Sequence, residues 1–288
     1  MNTTILSDLF LPFTLAIITF GVGLSITFQD LRNIVLLPRN ILIGLLSQLL
    51  VLPLIAFGIA LSCRIEGAVA VGLILISVCP GGATSNLVNY LIRTNVALSL
   101  SITVVNGLIT IFTIPLMTQI ALNVFIKQAV HIQLSFPETV WNIFKLTALP
   151  ATVGILLRHY RHKLAGLLER PLRYILPILL LIVYCGVLFI DNAGGRVGVH
   201  DFFRILPYTL LLNLLAMFAG LYLPWLFGLK KINRVTISVE VGLQNSTLAI
   251  YVAGNLLNNY TMAMVGVVYG SFSFFTAWAF GYFSKRYL

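Results

Sequence analysis

The chain has 288 residues, of which 59% are hydrophobic and only 9% are charged. A soluble domain carries about 25% charged residues, so composition excludes a soluble enzyme or a soluble nucleic-acid-binding module and points to a chain that meets lipid. The net charge of +10 does not reverse this. The basic residues sit in short segments between apolar runs, and no basic patch carries interleaved aromatic side chains.

The N-terminal MNTTILSDLF has no basic region, so the first apolar run reads as a first span and not as a cleaved leader. Nine apolar segments follow in order, at about 9–28, 39–60, 67–92, 96–125, 139–157, 172–190, 203–226, 232–257 and 260–282. Stretches near 20 residues are the signature of membrane-spanning helices. The expected fold class is therefore an all-α polytopic membrane protein.

Two segments are irregular. In the third, the run up to Cys79 breaks at Pro80-Gly81-Gly82 and restarts at Ala83-Thr84-Ser85-Asn86. Proline removes a backbone donor and clashes with the preceding turn. In the eighth, GLQNSTLAIYVAGN (242–255) interrupts another apolar run. Interrupted helices at corresponding places in two halves are the mark of an inverted-repeat transporter with its site near the midplane.

Lys and Arg set the expected orientation. Thirteen fall on one side (Arg32, Arg39, Arg93, Arg158, Arg161, Lys163, Arg170, Arg173, Lys230, Lys231, Arg234, Lys285, Arg286) and five on the other (Arg64, Lys127, Lys145, Arg196, Arg204). The positive-inside rule puts the larger group in the cytoplasm, with the N-terminus outside and the C-terminus inside. This division requires an odd number of spans. The basic stretch 158–171 reads as a cytoplasmic linker, or as an interfacial helix on anionic lipid. It separates a first membrane repeat of four spans within 1–157 from 172–288. The second repeat begins with the span 139–157.

Of eight acidic residues, Glu240 alone falls inside a span. A carboxylate there is expensive and marks a functional site by default. The bland reading is a helix cap or a pair with Arg234. The functional one is a cation or proton site. Gln244, four residues on, would share its helical face. Gly242 would loosen the turn, and Asn245 and Ser246 add oxygens. Gln48 interrupts the second span, and Ser99 and Thr103 share one face of the fourth, where hydroxyls often serve packing alone. One carboxylate among hydroxyl, amide and carbonyl oxygens suits a monovalent hard cation. The acids are too few for a calcium cage. The restarted helices offer N-terminal donors to an anion from Gly82, Ala83 and Thr84 and from the stretch at Asn245. Simple kinking is the alternative. Cys63, Cys79 and Cys185 lie far apart, and the four histidines show no zinc spacing.

PGGATSN (80–86), NVALSLSIT (95–103) and EVGLQNSTLA (240–249) together resemble the hallmark segments of the bile acid:sodium symporter family. The likeness runs over nearly the whole membrane portion. It implies two inverted repeats, with two discontinuous helices crossing in a core domain (spans 39–125 and 203–282) beside a panel domain (9–28, 139–157 and 172–190). By the same resemblance, a first Na+ site would use Ser85, Asn86, Ser99, Thr103 and Glu240. A second would use Gln48, Glu240, Gln244 and the backbone oxygens of Val241 and Leu243. Substrate would lie near Gly82, Ala83, Thr84 and Asn245. The family more often has Thr-Ala-Ser-Asn where this chain has Ala83-Thr84-Ser85-Asn86, and its helix motif differs at Val241 and Leu243. These departures touch the substrate side.

The expected function is sodium-coupled symport, with two Na+ as coupling ions, of an organic anion into the cell. The anion would be a small carboxylate such as pantoate or a 2-oxo acid, or a bile-acid-like anion. Proton-coupled anion transport or sodium/proton exchange through Glu240 is one alternative. A membrane receptor that binds ligand without moving it is another. No enzymatic triad is visible. The expected setting is the cell membrane, the inner membrane of a bacterium, as a monomer without nucleic acid.

Overall fold

The computed structural model describes residues 9–36, 38–126, 135–189 and 199–287, and among them every regular element is a helix. Lys127 and Arg196 of the charge count, His131, and the N-terminal residues 1–8 lie outside the described residues. In order come α1 (Leu11–Ser25), α2 (Phe28–Leu36), α3 (Pro38–Ser62), the pair α4 (Gly67–Val78) and α5 (Ala83–Leu91), and α6 (Val96–Phe125). Then follow α7 (Phe136–Tyr160), α8 (His162–Phe189), α9 (Val199–Leu226), the pair α10 (Lys231–Gly242) and α11 (Ser246–Tyr251), and α12 (Tyr260–Tyr287).

Each of the nine apolar segments holds a helix or an interrupted pair, and the chain is a multi-pass membrane protein. By length and composition alone, α3, α6, α7, α9 and α12 are five helices fit to cross a membrane, and α4–α5, bent by 59°, is a sixth if the pair is one span and not a re-entrant loop. The nine-span count goes beyond this, because α1 has only 15 residues and α10 carries Lys231, Arg234 and Glu240. The stretch 158–171 is largely helical, as its reading as an interfacial helix expects. Apart from Arg161 it is helical, forming the end of α7 and the start of α8. Good helix formers fill it, and Arg158 pairs with Glu169 at 3.0 Å.

The breaks follow from local chemistry. Cys79 ends α4 in an extended conformation (ψ 149°), as the residue before a proline is pushed to do. Gly82 is also extended before α5 begins. On the other side, Leu243 is extended (φ −115°, ψ 108°) and ends α10. The two breaks meet directly, for the Asn245 N–H donates to the Pro80 carbonyl at 2.8 Å. α5 packs against α10 and α4 against α11, so each half of one pair lies on the opposite half of the other. In α3, Pro53 lacks an N–H, and its ring crowds the carbonyl four residues back. The helix absorbs this as a π turn over Ser47–Val51, which contains Gln48. Such turns often lie at functional sites.

Small residues bring helices close, the usual device where lipid offers no hydrophobic drive. α1 and α7 touch backbone to backbone. A Cβ on Gly154 would stand 2.5 Å from the Phe20 carbonyl oxygen, and one on Gly23 would run into the Ala151 carbonyl. Thr19 adds a hydrogen bond across this contact, from Oγ1 to the Leu146 carbonyl at 2.9 Å. α8 packs on the same two helices. α9 lies against α10 through Gly220, whose Cβ would be 2.9 Å from the Ser238 Cα. α4 lies against α12 through Gly72. α1 also faces the interrupted helices, packing on α5 and α11.

Gly23→Val is expected to lower the melting temperature of the detergent-purified protein, by a destabilisation of about 1–3 kcal/mol for overpacking. Gly107→Ala, where a Cβ meets nothing within 4 Å, is expected to raise it, since alanine is better in a helix interior by about 1 kcal/mol. Thermal unfolding of the two variants beside the parent checks both directions.

Candidate functional site

Glu240 is fully buried near the end of α10. Arg234 is not among its hydrogen-bond partners, which are hydroxyls brought by α6. Ser99 Oγ lies 2.6 Å from Glu240 Oε2 and Thr103 Oγ1 lies 2.5 Å from Oε1, and Ser85 Oγ stands near the carboxylate, both lying against the Cβ position of Gly81. Ser99 and Thr103 are four residues apart on α6 and so share a face. α6 is started by Asn95, whose side chain accepts from the Leu98 N–H at 3.1 Å, as an N-cap should. Asn95 also ties this corner to α10, donating from Nδ2 to Asn233 Oδ1 and from its N–H to Thr236 Oγ1, both at 3.0 Å.

Close approach here needs glycine at 81. A Cβ at that position would collide with Glu240 Oε1. This is a steric demand that the sequence motif shows only as a glycine.

The cluster has more acceptors than protons. A hydroxyl has one proton to give. Ser99 faces Glu240 Oε2 and also Asn86 Oδ1, at 2.8 Å. Thr103 faces Glu240 Oε1 and the Ser99 carbonyl at 3.0 Å. Ser85 donates to the Gly82 carbonyl at 2.8 Å. Ser99 and Thr103 thus have two protons for four acceptor contacts. For Thr103 the second contact is an ordinary bond back along the helix. For Ser99 it is not. Turning over the Asn86 amide only moves the surplus, because Nδ2 now donates to the Gly82 carbonyl at 3.3 Å and Oδ1 would take its place. A buried oxygen facing an oxygen is relieved either by a proton on the carboxyl or by a cation between them. The donors are neutral oxygens around one carboxylate, a set that fits a small monovalent cation.

A second group lies alongside. Gln48 Nε2 donates to Gln244 Oε1 at 3.2 Å, and Gln244 Nε2 donates to the Val241 carbonyl at 2.7 Å. Gln48 Oε1 is buried with no partner. Gln244 is not on the helical face of Glu240, as the spacing predicts. α10 ends at Gly242, and Gln244 lies in the break. The opened chain, and not helical register, carries it to Gln48.

The anion side is less symmetric than the sequence suggests. The N-terminus of α5 starts at Gly82 with no side chain capping it, and Ala83 and Thr84 are half-buried. The N-terminus of α11 is already used. Asn245 Oδ1 accepts from the Leu248 N–H at 3.1 Å, and the Asn245 N–H is bound to Pro80. The two helix ends thus differ: the one at Gly82, Ala83 and Thr84 has no side-chain cap, and the other is capped by Asn245, whose side chain is half-buried.

Several residues of the site give no signal in the sequence. Asn89 donates to Ser99 at 3.0 Å and takes the Thr94 hydroxyl on its Oδ1 at 2.6 Å, so it fixes Ser99. Asn213 of α9 and Tyr269 of α12 both donate to the Gly242 carbonyl, at 2.7 and 2.8 Å. Thr276 holds the Asn213 amide in that orientation at 2.6 Å. A freed carbonyl at a break needs such partners, but lone polar residues in long apolar helices do not reveal which carbonyl they serve. Lys285 bonds the Ile92 and Arg93 carbonyls at 2.7 and 3.0 Å, closing the C-terminus of α5.

Comparison with known proteins bears on this geometry. The model of the Sodium Bile acid symporter family matches residues 12–197, which include the first break and α6. The chain belongs to the sodium bile acid symporter family. Among relatives, it is 33% identical over 258 residues to the probable sodium/metabolite cotransporter BASS1, chloroplastic, of Oryza sativa subsp. japonica, covering 87% of this chain and 61% of that one. It is 27% identical to the uncharacterized sodium-dependent transporter YocS of Bacillus subtilis, covering 81% and 70%. It is 28% identical to the human sodium/bile acid cotransporter 4, covering 84% and 54%. The chain thus spans about three-fifths of the rice relative's length. Glu240 and the second break lie beyond the residues that the family model matches, so the cage joins a matched half to an unmatched one.

Glu240→Gln keeps the side chain's shape and removes the charge. The purified parent is expected to melt higher in sodium chloride than in potassium chloride, by about 2.7 kcal/mol of stabilisation at a hundredfold excess over the dissociation constant. The variant is expected to melt alike in both salts. Gly81→Ala is expected to reduce the sodium effect by displacing the carboxylate. A sodium-specific shift of full size in Glu240→Gln would remove the carboxylate from the site.

Proposed function

We propose that this protein is a sodium-coupled symporter that carries an organic anion into the cell. The observation that carries the reading is the proton-poor oxygen cage at Glu240, which joins both interrupted helices and α6. Its family supports the same reading, as do relatives whose names describe sodium-dependent transport.

In this reading Ser85, Asn86, Ser99, Thr103 and Glu240 hold one Na+. Gln48, Glu240, Gln244 and the backbone oxygens of Val241 and Leu243 hold a second. Sodium supplies the charge that the surplus oxygens lack and draws α5, α6 and α10 into one arrangement. Because the Asn245 N–H is bonded to the Pro80 carbonyl, order at the ion side is passed to the start of α5. The anion is then held at Gly82, Ala83, Thr84 and Asn245. Cation and anion each favour the state the other binds, as coupling requires.

α1, α7 and α8 act as the panel and the remaining long helices as the core. Movement of one against the other opens the anion site first outward and then inward. The larger set of basic residues faces the cytoplasm, which puts the N-terminus outside. Two Na+ with a monovalent anion carry one net positive charge inward. Small carboxylates such as pantoate or a 2-oxo acid suit one uncapped helix end better than a large amphipathic anion does. Bile-acid-like anions remain within the chemistry of the site.

The experiment is uptake of labelled monocarboxylates into proteoliposomes. Uptake is expected to need an inward sodium gradient, to stop when potassium or choline replaces sodium, and to rise with an inside-negative potential. Accumulation driven by a pH gradient without sodium would favour proton coupling at Glu240. Binding without accumulation would favour a receptor.

A further inference from the structure

The turn between α3 and α4 carries two features that the ion and anion sites leave unused. Arg64 has a left-handed backbone, with φ 52°. The Ile65 N–H bonds the Ala60 carbonyl at 2.8 Å and the Arg64 N–H bonds the Leu61 carbonyl at 3.2 Å. This is a helix ending whose left-handed position glycine usually fills, and an arginine there costs backbone energy. Two residues on, Glu66 precedes α4 with no side chain capping the helix, so the first turn of α4 keeps free N–H groups.

Both features open on one cavity. It measures about 240 Å³ and is lined by Arg64, Ile65, Glu66 and Val69 from this turn and by Arg204 and Tyr208 of α9. Arg204 and Tyr208 are four residues apart and so share a face of α9. At the opposite ends of the same two helices, Arg39 near the start of α3 donates to the Phe227 carbonyl just after α9, at 2.7 Å. The two helices are thus antiparallel and held together at both ends of the cavity's framework. Among the described residues neither guanidinium is paired with a carboxylate, although Glu66 lines the same cavity. Two cations facing one cavity repel, and a bound anion relieves them. Ile65 is buried and Val69 half-buried, which sets an apolar wall beside the polar groups, the usual make-up of a small-molecule site.

We propose that this cavity binds a small organic monocarboxylate, its carboxylate on Arg64 and Arg204 and its carbon body against Ile65 and Val69. A guanidinium takes a carboxylate in a bidentate fork. Tyr208 and the first turn of α4 add neutral donors. Two cations and one acid leave a single positive charge, which suits a monoanion better than a dianion. None of the lining residues belongs to the cation cage or to the anion site at Gly82, Ala83 and Thr84, so this is a second site, and binding there does not need sodium. Arg64 and Arg204 both belong to the smaller basic set. In the orientation of the symport reading, on which this placement rests, the cavity faces outward and holds the anion ahead of transport.

The test is binding of isotope-labelled pyruvate and pantoate to the purified protein in sodium-free choline buffer, read by NMR line broadening. The parent is expected to bind at least one of the two saturably. Arg204→Gln is expected to weaken that binding by about tenfold or more, and Arg204→Lys, which keeps the charge and loses the fork, to restore part of it. Arg64→Gly is expected to weaken it as much while raising the melting temperature by about 2 °C, so the loss is not one of folding. No saturable binding of either anion without sodium, or binding unchanged in both Arg204→Gln and Arg64→Gly, overturns this proposal alone. Binding that the two replacements abolish, beside uptake indifferent to sodium, overturns the symport reading and leaves this site standing.

Discussion

The structure depends on one buried carboxylate whose neighbours are nearly all acceptors. Glu240 is fully buried and meets Ser99 and Thr103, and the hydroxyl protons are too few for the oxygens they face. A charge in such a place is tolerated only with a partner. The ion pair Arg158–Glu169 lies far along the chain from it. In the proposed reading a small cation is that partner, and three separate helices must meet for the cage to exist.

Two backbone devices let them meet. The first is the contact between breaks, where the Asn245 N–H bonds the Pro80 carbonyl. Each break leaves donors or acceptors without helical partners, and this bond settles one of each. The second is the anchoring of the Gly242 carbonyl by Asn213 and Tyr269. It fixes the end of α10 to α9 and α12, so the carboxylate two residues earlier is held from behind. In the proposed symport the ion side and the anion side would be opposite faces of the same four chain ends. That arrangement gives coupling a physical route without a long chain of intermediates.

Much of this was legible in the sequence because the residues involved are chemically conspicuous. Pro80-Gly81-Gly82 marks the first break to within a residue, and Glu240 is the one acid in an apolar run. Ser85, Asn86, Ser99 and Thr103 were grouped from their family motifs and come together in space. Gln244 was placed by helical register, and that failed because Gly242 ends the helix before it. The supports were not legible. Asn89, Asn213 and Tyr269 are single polar residues whose partners are backbone carbonyls or side chains set by the tertiary arrangement. The stretch 158–171 is helical in the structure, and its charges left both a linker and an interfacial helix open in the sequence. The capped state of α11 could not be read either, since Asn245 serves equally well as a ligand or a cap.

The central claim is that sodium binds within the protein at Glu240. Equilibrium binding of radioactive sodium to the purified protein, in the absence of any organic anion, tests it most directly. The account predicts saturable binding that approaches two ions per chain, resists excess potassium, and is abolished when Ser99 and Thr103 are both replaced by alanine in a chain that still folds. Absence of saturable sodium binding, or binding undiminished by that double replacement, would contradict it.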